Sequence, residues 1–189
     1  MSIEEVLNDF DAFSQEDIQR GMDIIKRKAI RKNEILIHNG ESCNWVAFLN
    51  SGIVRNFYYN NQSEEVTYCF TFPGTFFCAY SSFISGKPSF ENIQALTDLD
   101  LMILAREDLN ELIESNHNWL KFAYSFSQNS YLYMEERLLT LQKETAEERY
   151  TNLVKNNPEI LQSVPLKYIS SYLGISQRHL SRLRKNILL

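Results

Sequence analysis

The chain has 189 residues, of which 44% are hydrophobic and 13% aromatic, and carries a formal net charge of −5. That composition fills a real core and excludes global disorder, and the length suits one mid-sized domain with a small appendage. No stretch has the length and apolarity of a membrane span, and the acidic start MSIEEVLNDFDAF lacks the basic and apolar parts of a secretion signal. A soluble, cytoplasmic protein without a membrane partner is expected.

Residues 3 to 27 carry helical spacing. Ser14 with Asp17 imitates a capping box, and Ile18, Met22 and Ile25 follow on one face. From about Ala29 to Leu104 the pattern changes to short strands punctuated by Gly40, Gly52, NNQS at 60 to 63, Gly74 and SGKPS at 85 to 89. In EVTYCFTF the alternation predicts Val66, Tyr68, Phe70 and Phe72 on one face and Thr67, Cys69 and Thr71 on the other. Short strands at such spacing predict an antiparallel barrel or sandwich. The stretch PGTFFCAYSSFISGKPSFENIQAL, residues 73 to 96, reads as a small-molecule pocket between two strands.

Helices return at Arg106 with REDLNELIES, and Trp119 to about Lys143 can form one long helix without Gly or Pro. Leu120, Ser127, Met134 and Leu141 recur every seventh residue, as do Tyr124, Tyr131, Leu138 and Thr145, which makes a coiled-coil seam. Phe122, Phe126 and Tyr133 supply a second apolar face. A helix apolar on two sides usually has two neighbours, so a second copy of the chain beside its own strands is expected, the alternative being a helix packed only on its own barrel. Thr145 with Glu148 is a capping box that starts a new helix, and the break is a natural hinge.

VPLKYISSYLGISQRHLSRLRKN carries the most chemistry. Pro165 suits a helix start, Ile169, Tyr172 and Leu173 share one face, Gly174 permits a tight turn, Ile175 plugs the gap, and Ser176 caps a second helix whose Leu180 and Leu183 turn inward. This is a helix-turn-helix, whose second helix enters the DNA major groove. Gln177, Arg178, Ser181, Arg182 and Lys185 point outward to base edges, while Lys167, Ser170, Ser171 and Arg184 are placed for phosphates. Charge agrees with this reading. The first 159 residues carry −10, whereas residues 160 to 189 hold five basic side chains and no acid. The bland alternative is a helical hairpin with a solvated basic face.

Three cysteines (Cys43, Cys69, Cys78) form no C-x-x-C pair, and His38, His117 and His179 are scattered, so neither a metal nor a cofactor is expected and the thiols are expected reduced and mostly buried. No enzyme is expected either. Glu64, Glu65 and Glu91 lie near strands without a nucleophile–base pair, and hairpin carboxylates of this kind are usually solvated.

The pieces LNSGIVRNF, FPGTFF, IQALTDLDLMILAREDL, MEERLLTLQKETAEERYTNLV and VPLKYISSYLGISQRHLSRLRK, in this order, resemble the Crp/Fnr family of bacterial transcription regulators, with wording closest to the branch common in Bacteroidetes. The resemblance covers essentially the whole chain. It implies an α+β protein: an N-terminal cyclic-nucleotide-binding-like jelly-roll β-barrel as effector domain at 1–117, a long dimerisation helix at 118–144, and a C-terminal helix-turn-helix headpiece at 145–189. It further implies a homodimer that controls transcription from a palindromic operator in double-stranded DNA. Bases would be read at positions falling on Gln177, Arg178 and Arg182, and RNA polymerase is a candidate partner.

Where relatives bind a cyclic nucleotide, a Gly-Glu pair and an Arg-Ser pair hold ribose and phosphate. The matching positions here are Cys78 and Ala79, then Ser89 and Phe90, and all four differ. A buried phosphate needs a cation and several donors, so a cyclic nucleotide is not expected. The iron–sulfur sensors of the family need an N-terminal cysteine cluster that this chain lacks, and His38, in a turn, makes a poor haem ligand. The residues left to line the pocket are Phe77, Cys78, Tyr80, Ser89 and Phe90, faced by Tyr131, Met134 and Glu135. Three readings stay open: an uncharged small-molecule effector binds there, the side chains fill the space and DNA binding needs no ligand, or Cys78 is a redox sensor. The alternative for the whole chain is a ligand-binding or interaction module whose terminal helices dock a protein partner. The family's wing has little room, because only NNPEILQS precedes the helix-turn-helix.

Overall fold

The computed structural model describes residues 1–187. Eight strands form two four-stranded antiparallel sheets: β1 (Lys26–Ile30), β2 (Ile35–Ile37), β3 (Trp45–Ser51), β4 (Val54–Tyr59), β5 (Glu65–Thr71), β6 (Thr75–Phe77), β7 (Asn92–Ala95) and β8 (Leu99–Ala105). The orders β1-β8-β3-β6 and β2-β7-β4-β5 are those of a double-sheet jelly roll, so the expected barrel is a sandwich. Ala47, Leu49, Val54, Ile93, Ala95 and Leu101 fill the space between the sheets.

Each sheet also has a covered outer face. On β1-β8-β3-β6 lie α1 (Ile3–Asn8), α2 (Gln15–Ile24), α4 (Arg106–Ser115) and the start of α5 (His117–Lys143), around Phe48, Leu104, Leu112 and Trp119. On β2-β7-β4-β5 lie α6 (Ala146–Asn156), α7 (Ile160–Ser163), α8 (Leu166–Leu173) and α9 (Gln177–Ile187). One core therefore joins Ile53, Phe70 and Leu96 of the sandwich to Ile169, Leu173 and Leu180 of the terminal helices.

Several expectations are corrected. Residues 3 to 27, expected to be helical, hold two helices and then the start of β1 at Lys26. Ser14 caps α2 in an extended conformation, with Asp17 completing the box. The intervening turn brings Phe13 to 4.5 Å from Trp119 and Phe10 to 5.3 Å from Phe122, and Lys26 already pairs with Ile103. The stretch 73 to 96 holds a helix, α3 (Tyr80–Ser85), closed by Gly86 in the left-handed conformation. Around it stand β6 and β7, one in each sheet.

The simple alternation of β5 fails at Tyr68. Asn56 pairs with Cys69 but Phe57 pairs with Thr67, leaving Tyr68 as a β-bulge. Beyond the bulge the faces swap. Tyr68 reaches Glu91 inside the sandwich, whereas Phe70 and Phe72 pack outside against the terminal helices. Thr67 is outside too, bonded through its N–H to Ser171 Oγ at 2.9 Å.

Candidate nucleic-acid interface and effector site

α8 and α9 are two helices joined by a tight turn. Pro165 stands one residue before α8, Gly174 ends α8 with φ +70°, and the Ile175 N–H returns to the Ser170 carbonyl at 3.0 Å. Ser176 Oγ accepts the His179 N–H at 3.2 Å and so caps α9, while Leu180 and Leu183 are buried. Gln177, Arg178, Ser181, Arg182 and Lys185 are all exposed along α9, and Lys167 is exposed on α8. Among the described residues no salt bridge ties any of these cations to an acid.

Three of the residues assigned to phosphates sit differently. Ser170 is buried and donates its hydroxyl to the Lys167 carbonyl at 3.1 Å. Ser171 is engaged by Thr67, and Arg184 is half-buried with a Nε that meets no acceptor. In this arrangement the two serines face protein, because α8 lies against β5. The helix pattern alone could not reveal that contact.

The docking is specific. Arg55 of β4, only 1% exposed, is sandwiched between the rings of Phe57 at 3.9 Å and Tyr168 of α8 at 3.5 Å. Its Nη2 donates to Glu65 at 2.6 Å, its Nε to Gln94 at 2.7 Å and its Nη1 to Thr67 at 3.3 Å. Phe70 stacks on Tyr172 at 5.0 Å, and Arg137 of α5 lies 3.8 Å over the same tyrosine while donating to its carbonyl. Arg149 of α6 donates to the Leu173 carbonyl at 2.8 and 3.2 Å. Two arginines from two helices thus cap the negative end of α8. Thr145 and Glu148 make the full capping box at the break after α5.

The long helix matches its expected length and has two apolar faces. Phe122 and Phe126 pack on Phe76, while Leu120, Tyr124, Tyr131, Met134, Leu138 and Leu141 are exposed on the opposite seam. Tyr133 is 42% exposed, yet its hydroxyl lies 3.7 Å from Cys69 Sγ.

The expected pocket lining does not converge. Phe77, Cys78 and Ser89 are buried inside the sandwich, but Phe90 is 56% exposed, and Tyr131, Met134 and Glu135 are exposed on α5. Tyr80 instead donates to Ser127 at 2.6 Å beside a different cavity, outside the sandwich. Next to Ser89 the interior holds Glu91, which is 2% exposed and so not the solvated carboxylate its hairpin setting suggests. Tyr68 and Asn56 donate to it, and burial raises its pKa above the usual carboxylate range against those bonds. Nearby, the Asn56 side-chain carbonyl and the Asn92 side-chain amide meet no partner.

The three thiols are free, with Cys43 and Cys78 buried and Cys69 half-buried. Burial raises all three, Cys69 to about 11, so none is poised as a thiolate near neutrality. The described residues contain no cluster of three metal-ligating side chains. They also contain no helix long and apolar enough to cross a membrane.

Residues 27–116 match the family model described as the cyclic nucleotide-binding domain. No curated protein sequence matches the chain. Among solved structures, FixK2 from Bradyrhizobium japonicum is 18% identical, with 87% of this chain and 84% of that one covered at a TM-score of 0.74. The c-di-GMP-responsive global regulator CLP from Xanthomonas campestris is 15% identical, with 93% and 92% covered and a TM-score of 0.65. The catabolite activator protein of Thermus thermophilus is 19% identical, with 95% and 85% covered at 0.54. At these identities the likeness is one of fold, and it extends from the sandwich through the long helix to the terminal helices.

Proposed function

We propose that this chain is a DNA-binding transcription regulator of Crp/Fnr type that reads a palindromic operator as a homodimer. The observation that carries the proposal is α9: five polar or basic side chains exposed along it, within a thirty-residue terminus free of acid. Gln177, Arg178 and Arg182 are given the base edges, and Lys167 the phosphates. The division at 117/118 and 144/145 belongs to this reading, with an effector domain, a dimerisation helix and a headpiece. The exposed seam of α5 supports the dimer, because an apolar stripe of this length is not left in water by a stable monomer.

The sandwich pocket is read as degenerate. A cyclic phosphate entering there would meet the buried Glu91 and no cation from Cys78, Ala79, Ser89 or Phe90. The family's phosphate-binding pair is thus replaced by Ser89 and Phe90, neither of which supplies a cation. The non-enzymatic reading stands with this assignment, and RNA polymerase remains the further partner it implies.

Fluorescence anisotropy of a labelled mixed-sequence duplex, titrated with the full chain at several salt concentrations, tests the electrostatic half of the proposal. Affinity should fall steeply with salt, as phosphate neutralisation requires. A duplex left unbound at low salt would refute DNA binding.

A further inference from the structure

A cavity of about 430 Å³ lies outside the sandwich, between the outer face of β1-β8-β3-β6 and helices α1, α3, α4 and α5. It is distinct from the interior space around Cys78, Ser89 and Glu91, none of which lines it. Its walls are almost wholly apolar, with Leu7, Val46, Phe76, Met102, Leu109 and Phe122 among them. Ile84, 64% exposed, stands at its edge, so the cavity has a route to solvent.

One cation breaks this apolar lining. Arg106, half-buried at the start of α4, has its guanidinium carbon 4.9 Å from the Phe83 ring centre. Its Nη2 is shared between the Cys43 carbonyl at 2.7 Å and the Ser82 carbonyl at 3.3 Å. Its Nε is buried and meets no acceptor. Among the described residues no carboxylate comes within 4.0 Å of it. An uncompensated guanidinium is costly in an apolar wall, and an arriving carboxylate supplies the missing opposite charge. Asn110 and the Tyr80–Ser127 pair add the few polar groups that fix a ligand's orientation.

We propose that this cavity binds an apolar monocarboxylate, a medium-chain fatty acid, with the carboxylate on Arg106 and the chain against the sheet. The volume lies low in the ~300–1,000 Å³ range of small-molecule sites, which suits a chain of about ten carbons. The site also reaches the helix that carries the exposed seam, since Trp119, Ala123, Phe126 and Ser127 of α5 form one wall. Occupancy therefore bears on α5 directly, and through Arg137 on the headpiece.

Calorimetric titration of the full chain with decanoate and, separately, with decanol tests the site without any reference to DNA. Decanoate should bind with one molecule per chain and decanol at least about tenfold more weakly, the worth of one charge-assisted contact. Arg106→Leu should remove that preference, with Arg106→Gln as a second variant should the first fold poorly. Ala123→Phe, which fills the cavity, should abolish both. Decyl phosphate distinguishes a free fatty acid from a phospholipid headgroup, and it should bind more weakly than decanoate. The proposal is overturned if decanoate does not bind, if it binds Arg106→Leu as tightly as the wild type, if Ala123→Phe leaves binding intact, or if decyl phosphate binds more tightly.

Discussion

The guanidinium of Arg55 lies 3.5 Å from the ring centre of Tyr168, so the one buried cation among the described residues is also a contact between sandwich and headpiece. Four side chains hold it: Glu65, Gln94 and Thr67 by hydrogen bonds, Phe57 by its ring. Arg55→Ala leaves Gln94 and Thr67 without their partner, while Glu65, 36% exposed, can turn to water. Chemical denaturation should show a loss of about 3 kcal/mol. Tyr168→Leu should cost about 1 kcal/mol, and the double variant should reveal coupling of similar size. Fully additive losses would mean that the stack carries no energy.

On the DNA side, two substitutions separate two roles. Arg182→Ala should relax sequence preference at one position of each half-site, at a cost of about 1–3 kcal/mol for the preferred base. Lys167→Ala should weaken all duplexes alike and reduce the salt slope by about one. Competition binding with single-base variants of a selected site reads both effects, and identical behaviour of the two variants would contradict the assignment.

Along α5, Tyr131 and Leu138 are 66% and 56% exposed on the seam. Sedimentation of the wild type should give a dimer, and Tyr131→Glu with Leu138→Lys should give a folded monomer with unchanged helix content. A wild-type monomer at micromolar concentration would remove the dimer from the account.

Glu91 makes stability depend on pH in a definite direction. Burial raises its pKa in the fold above the ordinary 4.5, so the folded state keeps a proton that the unfolded chain releases. The stability this contributes is complete below pH 4.5 and is lost as pH rises through the folded value. Relative to Glu91→Gln, the wild type should therefore lose stability on going from pH 4.5 toward neutrality, at up to about 1.4 kcal/mol per pH unit. Parallel curves for the two proteins would show that Glu91 keeps its ordinary pKa.

Gly21 of α2 is held by space, not by backbone angle. A Cβ there would stand 2.5 Å from two atoms of the buried Trp119 ring. Gly21→Ala gains helix propensity of about 1 kcal/mol but forces the indole to move, so net destabilisation of about 1–2 kcal/mol is expected in a thermal melt.

Much of this was legible in the chain because its signals are local. Capping residues, the left-handed Gly174 and the double face of α5 are each set within a few turns of backbone, and each stands where the sequence places it. What escaped depends on pairing across the fold. The bulge at Tyr68 is a register property of β4 against β5, and it puts Tyr68 and Phe70, expected on one face, on opposite faces of the sheet. Glu91 reads as an ordinary hairpin acid until Tyr68 and Asn56 are folded onto it. Arg55 gives no periodic signal at all, and the burial of Ser170 follows from a dock between elements about a hundred residues apart in sequence, as in the Thr67–Ser171 bond.

The proposed regulator stands or falls on sequence-specific DNA binding by paired headpieces. Selection from a random duplex pool, with ligand-free full-length protein near physiological salt, tests it most directly. Enrichment of a palindrome whose half-sites lie about one helical turn, roughly 34 Å, apart is the expected result. A pool that retains no consensus, despite bound protein, would contradict it.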